Sequence, residues 1–104
     1  MYKIQVMPFR PKMFAISVLN ETTNKQCKFM VGVNTEVSSV NGQTKKLTAG
    51  GHELTIDSRS PTPGFAPKNE MNADEVKAEF DAMCDAIAAD FQKSIWTLFF
   101  SIYP

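Results

Sequence analysis

The residues able to do covalent or acid–base chemistry are few in this chain, and their spacing does not assemble a familiar catalytic group. His52 is the only histidine and directly follows Gly50-Gly51. No serine, cysteine or carboxylate stands at a spacing that would pair with it as nucleophile or orienting group, so it is expected at a surface or strand edge. Cys27 and Cys84 lie far apart with no CxxC partner, so metal-ligand spacing is absent; they are expected as two buried thiols. Gly50-Gly51 lacks the rest of a phosphate-binding loop. Glu79, Asp81, Asp85 and Asp90 could in principle exchange protons, but at helical spacing they read as an acidic surface face. No enzyme activity, metal or cofactor is expected. Lys45, Lys46, His52 and Arg59 are the groups that loops could gather into a pocket for an anion such as a nucleotide.

Charge sharpens the choice of partner. The 11 basic and 11 acidic residues cancel, yet residues 1–69 carry nine of the bases against four acids, whereas residues 70–104 carry two against seven. A net +5 half is therefore joined to a net −5 half. Carboxylates in a first helical turn suit the positive end of the helix dipole; those from Asp81 to Asp90 have no such reason. An acidic face of this kind could compete with nucleic acid for a basic groove on another protein. Direct nucleic-acid binding is not expected, because the bases are few and the aromatics Phe9, Phe14 and Phe29 are wanted in the core.

The elements that must position these groups follow from periodicity. Tyr2, Ile4 and Val6 alternate with Lys3 and Gln5; Phe14, Ile16 and Val18 form a second alternating run, and Cys27, Phe29, Val31 and Val33 a third, with Lys28 on the other face. Asn41-Gly42 is expected to form a two-residue hairpin between strands at Glu36–Val40 and Gln43–Thr48. Ala49-Gly50-Gly51 marks a further turn before a last strand around Leu54 and Ile56. Pro61, Pro63, Gly64 and Pro67 make residues 59–71 a loop, pinned by Phe65.

From Asn72 onward a helix start is fully written. Asn72 caps, Glu75 closes a capping box, and Met71 staples to Val76. Val76, Phe80, Met83, Ile87, Phe91, Ile95, Leu98 and Ile102 recur at steps of three or four, and predict one helix over 72–102. Such a helix would run to roughly 45 Å, more than one small sheet can cover. Either it breaks near Ser94, with Ile95–Tyr103 turning into a final strand, or its end projects to meet another molecule. Trp96, Phe99, Phe100 and Tyr103 would then share one side and serve as self-association or partner anchors; a closed internal C-terminus is the other reading.

These elements define an α+β class: a five- or six-stranded antiparallel sheet over residues 2–58, followed by one long C-terminal helix packed across it. A length of 104 residues suits one domain spanning 1–104. No apolar run reaches membrane-spanning length and no signal-peptide pattern is present, so a cytoplasmic location is expected. In general type, the chain is similar to many phage or mobile-element accessory proteins that bind and inhibit a host factor, a likeness of character rather than of motif. The function these features imply is a homo-oligomeric, non-enzymatic binding protein or inhibitor with a protein partner. The alternative is a small oligomeric module with an anionic ligand in a loop pocket.

Overall fold

Strict two-residue alternation builds one antiparallel sheet in the computed structural model, which describes residues 1–40, 42–60 and 73–102. Its strands are β1 (Tyr2–Arg10), β2 (Met13–Asn20), β3 (Lys25–Val33), β4 (Thr44–Ala49) and β5 (His52–Ser58), in spatial order β1-β2-β3-β5-β4. The first three form a meander in which Ile4 faces Val18 and Val18 faces Cys27. One face therefore carries Phe14, Ile16, Val18, Cys27, Phe29, Val31, Leu54 and Ile56, all buried. Burying a side chain of this size contributes about 1.5–3 kcal/mol, and together they form a single core with the helices that follow.

The strand expected before Asn41 is corrected. Glu36–Val40 is not a strand: after β3 the chain crosses the other face of the sheet, outside β5, before entering β4 at the far edge. The reason is polar as well as apolar. Asp57, fully buried on that outer face, accepts hydrogen bonds from the Val40 backbone N–H (3.2 Å) and the Thr44 hydroxyl (2.7 Å). Gly32 makes the crossing possible, since a Cβ there would stand 2.6 Å from the Thr35 carbonyl oxygen. The turn expected at Ala49-Gly50-Gly51 joins β4 to β5, with Gly50 (+58°) and Gly51 (+79°) both at positive φ. Asn41 lies outside the described residues.

The single helix over 72–102 is also corrected. The structure has α1 (Ala73–Asp90) and α2 (Ser94–Ile102), separated by a three-residue break. α1 begins directly after Asn72, where the start was expected; Asn72, Met71 and the proline-rich loop with Phe65 lie outside the described residues. Phe80, Met83, Cys84 and Ile87 bury the expected stripe of α1 on the sheet. No glycine or proline causes the break at Phe91–Lys93. Lys93 N–H instead bonds back to the Asp90 carbonyl (2.9 Å), while the Asp90 carboxylate accepts from Trp96 Nε1 (3.1 Å) and pairs with Lys93 (2.9 Å). These contacts turn the chain back over the core, and the segment after the break stays helical rather than becoming a strand.

Candidate functional site

The break resets the helical phase, and that decides which residues face outward. Trp96 is fully enclosed within the subunit, with its ring centroid 4.9 Å from that of Phe14 and 5.0 Å from that of Phe91. Phe99 and Phe100 are half-buried on the same core, at 6.0 and 5.3 Å from Phe14. Trp96 is thus a core residue and not a self-association anchor, and the two phenylalanines are anchored inward; Tyr103 lies outside the described residues. The residues expected to continue the core stripe point the other way. Ile95, Leu98 and Ile102 are 44, 56 and 57% exposed and lie along one side of α2. α2 carries no charged residue at all.

The acidic residues are largely employed within the subunit. Glu79 accepts hydrogen bonds from the Tyr2 hydroxyl (2.7 Å) and Asn20 Nδ2 (3.1 Å), tying α1 to the β1–β2 edge. Burial, reinforced by the neighbouring Glu79, pushes the Tyr2 phenol up to about 12. Asp81 bridges Lys45 (3.3 Å) and Lys77 (3.2 Å). Its partial burial would raise its pKa, but the two lysines prevail and hold the carboxyl below its ordinary value. Asp90 is buried at the helix break. Of the four acids expected on one face, Asp85 alone is exposed; Asp74, in the first turn of α1, is exposed as well.

The structure does not bring the four expected anion-binding residues together. Lys45 points to the helix side of β4 and Lys46 to the opposite side, where it pairs with Glu36. The His52 ring lies edge-on to Phe91 at 5.7 Å and tilted against Phe100 at 6.0 Å. Its Nδ1 lies 2.8 Å from Asn34 Nδ2, and Asn34 Oδ1 accepts from the Glu53 N–H. That arrangement makes the amide nitrogen the donor and places the neutral imidazole proton on Nε2. Arg59 sits on the outer face beside buried Asp57 (3.6 Å). Cys27 and Cys84 are both unpaired and buried, and burial pushes Cys27 up and Cys84 to about 12. Among the described residues, no group of three His, Cys, Asp or Glu is placed to hold a metal.

One surface lies outside the expected set. A cleft of about 810 Å3 is lined by residues of β1, β2 and β3. Its strand residues comprise two cross-strand rows, Gln5–Ser17–Lys28 and Met7–Ala15–Met30, and the alternate residues Ile4, Val6, Ile16 and Phe29. Arg59 closes the first row, and the lining also reaches Asp90, Lys93 and Ile95. The signal was present in β2, whose sequence MFAISVLN is apolar on both faces rather than one. Comparison with family models, with curated proteins and with solved structures gives no match to this chain.

Proposed function

We propose that this chain is a non-enzymatic binding protein that self-associates through α2 and, as an oligomer, binds or inhibits a macromolecular partner. The observation carrying this reading is the exposed stripe Ile95–Leu98–Ile102 on a helix with no charge. A second copy of the same helix is the occupant that fits. An isologous contact sets each patch against itself, and an uncharged stripe meets its own copy without opposing like charges. α1, by contrast, would repel its copy at Asp74 and Asp85. Those two exposed carboxylates favour a partner with a basic surface, whose affinity falls as salt screens the attraction.

The test is molar mass by light scattering over a range of concentrations, for the wild type and Leu98→Glu. Self-association in the wild type, lost in the variant without loss of thermal stability, supports the reading. A wild type that stays monomeric throughout removes it.

A further inference from the structure

We propose that the open edge of β1 pairs in antiparallel register with β1 of a second copy, so that copies held together at α2 also join their sheets. The inference rests on the self-association proposed for α2 and adds a second contact to it. β1 closes one side of the sheet. The Glu21 N–H donates to the Met1 carbonyl (3.0 Å), and these two residues stand directly opposite, one step before Tyr2 and Asn20. The odd-numbered residues of β1 therefore make the hydrogen-bonded pairs with β2, and the N–H and C=O groups of Tyr2, Ile4 and Val6 point away from the sheet. The next ladder agrees. The Val33 N–H donates to the Lys12 carbonyl (2.8 Å), which turns even residues of β2 toward β3 and odd ones toward β1. Among the described residues, no other segment bonds to the outward backbone groups of Ile4 and Val6.

Three features choose the register. Pro8 has no N–H to donate. Lys3 is the one charged side chain in residues 1–9. Met1 and Met7, on the same face as Lys3, are 89 and 66% exposed. A two-fold axis at Ile4 sets Tyr2 opposite Val6 of the second copy and Ile4 opposite itself. Every bond in these pairs then has its donor, and Pro8 stays outside them. Lys3 meets Gln5, and Met1 meets Met7. An axis at Lys3 would oppose two lysines directly, and an axis at Gln5 would set Pro8 against Tyr2 with a donor missing. The other edge is a poorer template: β4 has six residues against nine in β1, and carries both Lys45 and Lys46. Edge pairing exchanges bonds to water for bonds to the copy, so alone it gains little against the freedom lost on association. A pair joined at α2 presents two edges, and engaging both at once raises their effective concentration.

The experiment is amide hydrogen exchange by NMR on the full chain, dilute and concentrated, with molar mass measured alongside. In the single chain, Lys3, Gln5 and Met7 should exchange slowly, and Ile4 and Val6 fast. Where the mass exceeds one chain, Ile4 and Val6 should slow by at least about tenfold. The exposed Gln5 side chain tests the register. Gln5→Lys sets a lysine against Lys3 of the second copy and should weaken assembly about threefold, whereas Gln5→Glu should strengthen it by a similar factor, both with unchanged melting. Ile4 and Val6 amides that stay fast in the associated protein would leave the edge to a strand of some other protein and overturn the proposal, as would equal assembly of the two Gln5 variants; the role of α2 survives either result. Assembly that Gln5→Lys weakens and Leu98→Glu does not overturns the role of α2 and keeps the edge pairing. A wild type that remains a single chain overturns both.

Discussion

Asp90 shows how one side chain sets the geometry of a whole C-terminus. It is buried, and its two oxygens serve Trp96 Nε1 and Lys93. Asp90→Ala should therefore destabilise by about 1–3 kcal/mol, because it strands the indole donor in the core; Trp96→Phe tests the same bond from the other end. Chemical denaturation measures both. Trp96→Ala should cost about 3–5 kcal/mol, as removal of a large buried ring does, and so should act on folding before it acts on assembly. Tyr2 provides a pH test. Its phenol is raised to about 12 by burial and by Glu79, so its contribution is complete below the unfolded value of about 10 and is lost as pH rises through the folded one. The wild type should lose stability between about pH 10 and 12, and Tyr2→Phe should lose less over that interval. Buried Cys27 and Cys84 act in the same direction in both proteins.

At the scale of elements, the core faces of β1, β2, β3 and β5 could be read from alternation, because a strand's period of two leaves one face to bury. The stripe of α1 was equally legible through Ile87. Three features were not. The break at Phe91–Lys93 has no glycine or proline to announce it, since its cause is the long-range demand to seat Trp96 against Phe14. The same break inverted the reading of α2: aromatics at three/four spacing look like an interface on a continuous helix, yet a change of phase sends them inward and the aliphatics outward. Glu36–Val40 was expected as a strand, but buried Asp57 draws residues 34–40 across the sheet. Gly32→Ala tests that crossing. With 2.6 Å between the new Cβ and a backbone oxygen, it should destabilise by about 1–3 kcal/mol, whereas a substitution at exposed Thr48 should change little. The anion-site residues failed for a related reason: Lys45 and Lys46 are neighbours in sequence and therefore point to opposite faces.

Across the whole molecule, the division of charge in the sequence is partly spent on internal ties: Glu79 and Asp81 on α1 bind Tyr2, Asn20 and Lys45 on the sheet. Asp81 is held below its ordinary value, with partial burial opposing and its two lysines prevailing. Its contribution is present above the unfolded value of about 4 and disappears as pH falls through the folded one. Asp81→Asn should thus be mildly destabilised at neutral pH and converge on the wild type in acid. What remains on the surface is an uncharged helix with an aliphatic stripe, and no helix among the described residues is long and apolar enough to cross a membrane. The most direct measurement is molar mass in solution as a function of concentration, by light scattering on the wild type and Leu98→Glu. A mass rising to a multiple of the 11.6 kDa chain, and falling back to one chain in a variant that melts normally, is the expected result. A single-chain mass at every concentration in the wild type, or assembly undiminished in Leu98→Glu, contradicts it.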